Sequence, residues 1–404
     1  VPAYRAAEDA ARCAYGRLFA FLARRSRDPS AVEDALADAF LGALERWPRD
    51  GVPERPEAWL ITAARRRLTD AARRTAVRER LAPSLAVAAE AAEERAWAAL
   101  AFPDERLGML FACAHPALDP SIRAPLLLRV VLGVDAERIA SAFLVSPAAM
   151  RQRLVRAKEK MRTAGIAFET PEPARAYGRL DAVLDAIYAA FGLSWDEAGS
   201  DGGPLDLTRE AIFLARTIAT LMPEAPEAHG LLALLLFVES RRSARTDRAG
   251  AYVPLDEQDA CLWSRELIAE AEAALRCAGT HAIGRFQLEA AIQSAHAARL
   301  YGASARWPEI AQLYDALVER TAALGAAVGR AAAHARVHGA AAGLRIIDAL
   351  DAAQVVNYQP YWALRAHLTS DASDYERAIG LTENSAAREF LRARMSGASR
   401  LSLA

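Results

Sequence analysis

The stretch DAERIASAFLVSPAAMRQRLVRAKEKMR, residues 135–162, decides the fold. Ile139, Ala140 and Phe143 recur at helical spacing and face one way, so a short helix is expected over 135–142. Leu144, Val145 and Ser146 then form a tight turn. Ser146 suits the start of the next helix because its hydroxyl can accept from the free amides of the first turn. Pro147 follows where a missing N–H costs nothing. The layout is that of a helix-turn-helix. At 100° per residue, Met150, Leu154, Ala157 and Met161 fall on one side of the second helix and make its core stripe. The opposite side carries Ala148, Gln152, Val155 and Arg156. Arg151, Lys158 and Arg162 flank that side on one edge, Arg153 and Lys160 on the other. Small and amide side chains would meet base edges while the flanking cations reach phosphates. A basic bundle helix is the plainer alternative, but cap, turn and charge agree on the motif.

Outward from this stretch, the charge is uneven although the formal net is −1. Residues 1–163 carry 27 Arg and Lys against 21 Asp and Glu; residues 164–404 carry 23 against 30. The two parts therefore differ by sign. A second basic block lies at 65–80, where seven Arg face only Asp70 and Glu79. Two compact basic blocks are what phosphate neutralisation requires, although a pair of solvated helix faces would look alike.

The remaining chain reads as helix throughout. Ala- and Leu-rich segments keep a 3.6-residue period, and no stretch alternates long enough for a strand, which gives an all-α protein. The first clear helix is expected over 31–46, started by a capping box of Ser30 and Glu33. PRDGVPERP, residues 48–56, reads as a loop, and a helix follows over 57–74. A helical linker of Ala and Glu spans 82–103. Four helices are then expected at 104–113, 120–132, 135–142 and 147–162. Beyond Pro171 and Pro173 the chain reads as successive helical hairpins without a clean 34-residue register. The resulting domains are 1–81, a linker 82–103, 104–165 and 175–404. At 53% hydrophobic and 25% charged, a disordered chain is excluded. No membrane-length apolar run or secretory leader is seen, so a cytoplasmic protein is expected.

Residues 10–80 and 124–162 resemble regions 2 and 4 of bacterial sigma factors of the extracytoplasmic-function type. The resemblance is carried by DPSAVEDALADAFLGALERW (28–47), PRDGVPERPEAWLITAARRRLTDAARR (48–74) and FACAHPALDPSIRAPLLLRVVLGV (111–134). Further on, RRSARTDRAGAYVPLDEQDACLW (241–263), GRFQLEAAIQSAHA (284–297) and WPEIAQLYDAL (307–317) resemble the C-terminal extension of a subgroup with a TPR-like helical domain. The resemblance implies binding of core RNA polymerase and promoter DNA. Region 2 would meet the polymerase clamp and open the minus-ten element, and region 4 would read the minus-thirty-five element. It implies no membrane, no cofactor and no anti-sigma partner.

Carried onto these residues, Glu33, Asp34 and Asp38 form an acidic face for the polymerase. The family often has glutamine where Ala37 stands. Arg65, Thr69 and Arg73 make one line along the next helix, beside Arg66, and would track a DNA backbone. The proline-rich loop would capture a flipped base, with Arg49 and Asp50 as candidates. In region 4 the DNA-facing set is Arg151, Gln152, Arg153, Arg156, Lys158 and Lys160. The turn Asp201-Gly202-Gly203-Pro204, ahead of a helix capped near Asp206, reads as a docking turn between parts. No catalytic motif is present, so no enzyme is expected. His334 and His338, one turn apart, read as surface rather than metal ligands. A conventional helix-turn-helix regulator with a helical-repeat sensor is the rival, and residues 10–80 separate the two.

Overall fold

Asp28 starts the second helix. Its carboxylate accepts from the amides of Ser30 and Ala31 at 3.0 and 3.2 Å, and Pro29 takes the first helical position. The computed structural model describes residues 2–26, 28–79, 106–143, 145–166, 168, 173–196, 207–280, 283–302, 304–382 and 384–401. Every regular element among them is helical, with one isolated bridge between Thr246 and Tyr252.

The chain divides into two compact units, one ending at Leu193 and the other running from Thr208. The first opens with α1 (Pro2–Ser26), α2 (Pro29–Asp50) and α3 (Pro56–Glu79), which pack on one another. Leu18, Phe19, Phe21 and Leu22 of α1 are buried, as are Val32, Leu36, Ala39, Ala43 and Trp47 of α2 and Leu60 and Ala64 of α3. The expected capping box does not form. Asp28 has already taken the cap, and the Glu33 carboxylate is drawn elsewhere. The loop is also shorter than expected, because α2 runs through Pro48 to Asp50. Trp47 is buried at its end, and the helix stops at Gly51, whose N–H donates to the Trp47 carbonyl at 3.1 Å. With φ +88°, Gly51 turns the chain where a side chain would be strained.

The unit continues with α4 (Arg106–Cys113), α5 (Pro120–Val130), α6 (Ala136–Ala142) and α7 (Pro147–Thr163). Ser146 accepts from the Ala149 amide at 3.3 Å and Pro147 begins α7. Met150, Leu154, Ala157 and Met161 are its buried face. Cys113 is buried and His115 accepts from the Ala117 amide, so both serve packing and a turn. After α8 (Pro173–Tyr177), Arg179 donates to the Phe111 carbonyl at 2.9 Å, and α9 (Leu180–Asp196) belongs to the unit up to Leu193. The linker 82–103, Leu144, the turn Asp201–Pro204 and the cap at Asp206 lie outside the described residues.

The second unit holds α10 (Leu207–Leu221, from its second residue), α11 (Pro226–Glu239), α12 (Arg265–Ala278), α13 (Arg285–Ala297), α14 (Trp307–Arg320), α15 (Leu324–His338) and α16 (Ala340–Ile347). It ends with α17 (Ala352–Val355), α18 (Gln359–Thr369), α19 (Ala372–Gly380) and α20 (Ser385–Leu401). Apolar on all sides, α11 is its centre and packs against both α12 and α13. Helix pairs begin at residues 226, 285, 324 and 359, intervals of 59, 39 and 35, so no constant repeat runs through them. The helix-poor stretch after α11 is held down by Arg299, which donates to the carbonyls of Leu255, Asp256 and Gln258 and lies over the Trp263 ring. Among the described residues no helix is long and apolar enough to cross a membrane.

Candidate nucleic-acid interface

Crossing of α2 and α3 leaves a groove of about 790 Å³. Arg46 and Arg55 stand at it from the α2 side and the connecting loop, and Arg65, Arg66 and Arg67 from α3. Trp59 is half-buried in its wall, edge-on to buried Trp47 with ring centroids 5.6 Å apart. Gly42 faces the indole; a Cβ there would sit 3.7 Å from it, in ordinary contact. Asp38, Glu54 and Asp70 line it too, so five cations stand against three acids; an excess of cations beside one partly open aromatic ring suits a single strand, since phosphates find charge and a base finds a stacking surface. Arg65 and Arg66 thus reach this groove, while Thr69 is half-buried further along α3 and the Arg73 side chain lies outside the described residues. Arg49 and Asp50 sit in the last turn of α2, not in the loop, which narrows to Gly51–Arg55. Sequence reading passed over Trp59, Arg46, Arg55 and Arg67, although an aromatic two turns before an Arg run is a readable signal.

On α2, Asp34 and Asp38 are exposed, Asp38 at the edge of the groove and 3.5 Å from Arg67. Leu41 and Leu44 are exposed beside them, 56% and 39%, so the face is apolar at its centre as well as acidic. Glu33 behaves differently. Its carboxylate accepts from Arg129 Nε at 2.9 Å and from Lys158 Nζ, and its side chain is only 15% exposed.

On α7, Gln152, Arg153, Val155, Arg156 and Lys160 are exposed. Gln152, Arg156 and Lys160 make no side-chain hydrogen bond or ion pair among the described residues. Arg151 pairs with Glu137 at 3.2 Å and Arg162 with Glu159 at 2.5 Å. Lys158 departs from the expected phosphate-facing set. Four residues past Leu154, it stands about 40° from that core position and is turned into the Glu33 contact.

The sigma-70 region 2 family matches residues 11–78 and the sigma-70 region 4 family matches 109–161. A family of unknown function, DUF6596, matches 179–279. The chain belongs to the sigma-70 family. It is a sigma factor of the extracytoplasmic-function type with a C-terminal helical extension, and such factors are non-enzymatic DNA-binding regulators of transcription initiation. An uncharacterized protein, R00370, of Rhizobium meliloti (strain 1021) is 36% identical over 386 residues, covering 92% of this chain and 90% of the relative. No solved structure matches the sigma factor. Its partners as a class are core RNA polymerase and promoter DNA.

In the extension, His334 Nε2 lies 3.1 Å from Asp315 Oδ1, to which Arg330 also donates at 2.6 Å. Those bonds hold the Asp315 carboxyl below its ordinary range against the opposing effect of burial. The arrangement ties α15 to α14, and no cluster of metal-ligating side chains occurs among the described residues of the sigma factor.

Proposed function

We propose that this sigma factor docks on core polymerase through the exposed face of α2, takes single-stranded minus-ten DNA into the groove between α2 and α3, and reads the minus-thirty-five element with α7. The observation that carries the reading is the groove itself, lined by Trp59, five arginines and three acids, Asp38, Glu54 and Asp70, so that it is net basic, beside exposed Asp34, Leu41 and Leu44. A helix-turn-helix regulator has no use for that pair of surfaces. Asp34 and Asp38 offer charge to a basic polymerase helix, and Leu41 and Leu44 offer apolar area that becomes buried on docking. On α7, Gln152, Val155 and Arg156 face base edges while Arg153 and Lys160 reach phosphates. The extension modulates activity, with the Asp201–Pro204 turn as its expected docking point. The test is permanganate footprinting of an open promoter complex. Wild-type chain with core polymerase exposes unpaired thymines near the start site, and Trp59→Ala reduces that signal while polymerase binding persists. An undiminished footprint removes the groove from the mechanism.

A further inference from the structure

Between α11 and α12 the chain runs from Ser240 to Ser264 without an α-helix, yet its ends are joined, the Ser264 N–H donating to the Ser240 carbonyl at 2.9 Å. Ordered loops of this length inside a compact unit usually carry function. This one forms a wall of a polar cleft of about 400 Å³, within the range of roughly 300–1,000 Å³ typical of small-molecule sites. Asp256 comes from the loop, Arg299 and Ser304 from the segment between α13 and α14, Trp307 from the start of α14 and Arg336 from the last turn of α15. Four stretches of chain converge on it.

The cleft is cationic, although residues 164–404 carry more acids than bases. Asp256 is the one acid among its described lining residues. Arg336 donates to it through one Nη and lies over the Trp307 ring, 5.3 Å from the centroid; its Nε and other Nη make no hydrogen bond among the described residues. Arg299 spends both Nη atoms on the loop carbonyls and adds its charge. Nearby, Arg241 is 8% exposed and donates to Gln293 Oε1 at 2.6 Å rather than to an acid. Burial, with Arg245 and Arg299 close by, pushes its pKa down to about 10. His296 beside the Trp307 ring, and Gln258 and Trp263 beside Arg299, are each more than nine-tenths buried. Each keeps one polar atom without a hydrogen-bond partner among the described residues, so the polar groups here are not all spent on the fold.

We propose that this cleft binds a small organic dianion with oxygen donors, a phosphate monoester or a dicarboxylate, held by Arg336 and Arg299 beside Trp307. A guanidinium with Nε and one Nη unspent offers the fork that phosphate and carboxylate oxygens fit. Two negative charges suit a place where several arginines stand near a single acid that Arg336 already holds. Arg299 is at once a wall of the cleft and the clamp on the carbonyls of Leu255, Asp256 and Gln258, so a bound anion fastens the loop as well. The site belongs to the second unit alone and does not depend on how the first unit meets DNA.

The full chain is titrated calorimetrically with inorganic phosphate and with succinate, ionic strength being matched with sodium chloride. At least one should bind with a Kd below about 1 mM. Phosphate alone points to a phosphate ester, succinate alone to a dicarboxylate, and both to a dianion site that accepts either. Arg336→Gln should weaken binding about tenfold or more, whereas Asp256→Asn, which removes the competing acid, should tighten it about threefold. Opposite signs are the mark of an anion site; a merely structural ion pair loses by either change. Hydrogen exchange should slow on anion binding at residues 255–260 and 299–307 and stay unchanged in α1–α3, and with Asp256→Asn it decides the matter if Arg336→Gln does not fold. Binding by neither probe, weaker binding by Asp256→Asn, or exchange that responds equally to sodium chloride overturns the proposal.

Discussion

Arg156→Ala separates recognition from folding on one helix. Arg156 is exposed on α7, on the side away from buried Met150, Leu154, Ala157 and Met161. Removing it opens no cavity and breaks no pair among the described residues, and alanine is at least as good a helix former. The expected change in folding stability is therefore within about 0.5 kcal/mol. A lost base contact costs about 1–3 kcal/mol, which is roughly 5- to 150-fold in affinity. Lys160→Ala should instead weaken every sequence similarly and lower the salt slope by about one. The assay is a binding titration of polymerase holoenzyme on promoter DNA with an intact or scrambled upstream element, at several salt concentrations, with thermal melts of each variant. Equal loss on both DNAs after Arg156→Ala, or a melting temperature that falls with it, would refute the assignment of the α7 faces.

Charge reversal at Asp34 and Asp38, or Leu41→Ser, should reduce co-purification with core polymerase while far-ultraviolet circular dichroism stays unchanged. In the extension, burial and the nearby Arg241 and Arg299 push the His296 pKa down to about 4. The unfolded chain takes up that proton near pH 6.5 and the folded chain does not, so stability is full above about pH 6.5. It should fall by about 3 kcal/mol on acidification to about pH 4. Chemical denaturation across that range checks this, and His296→Gln should flatten the slope. A chain ending at residue 193 should keep the melting behaviour of the first unit, whereas one ending at 174 loses the Arg179–Phe111 bond and the buried face of α9 and should melt lower.

Where local chemistry decides an outcome, the residues announced it. Ser146, Pro147 and the Met150–Met161 stripe specify α7 without help, and α5 and α6 fall within two residues of their expected bounds. Local rules failed where a distant residue intervened. Ser30 lost its capping role because Asp28 stands two positions earlier with a free carboxylate, and Glu33 left the box for Arg129 and Lys158, 96 and 125 residues away. Pro48 reads as a breaker, yet buried Trp47 holds the last turn of α2 around it. Lys158 counts as a surface cation in any tally of charge; only its angular position beside Leu154 hints at the contact it makes. The groove of α2 and α3 depends on a crossing that no single segment encodes, which is why Trp59 and Arg46 went unread while Arg65 and Arg66 did not. In the extension, the stretch after α11 looks like loose loop by composition, and Arg299 orders it from 41 to 44 residues downstream.

Run-off transcription with purified core polymerase, the full chain and DNA from upstream of its own operon is the most direct test. A transcript starting at one position, dependent on the chain and lost when Arg65, Arg66 and Trp59 are replaced together, is the predicted result. Core polymerase that binds the chain but initiates no specific transcript, or a transcript indifferent to that triple replacement, would contradict it.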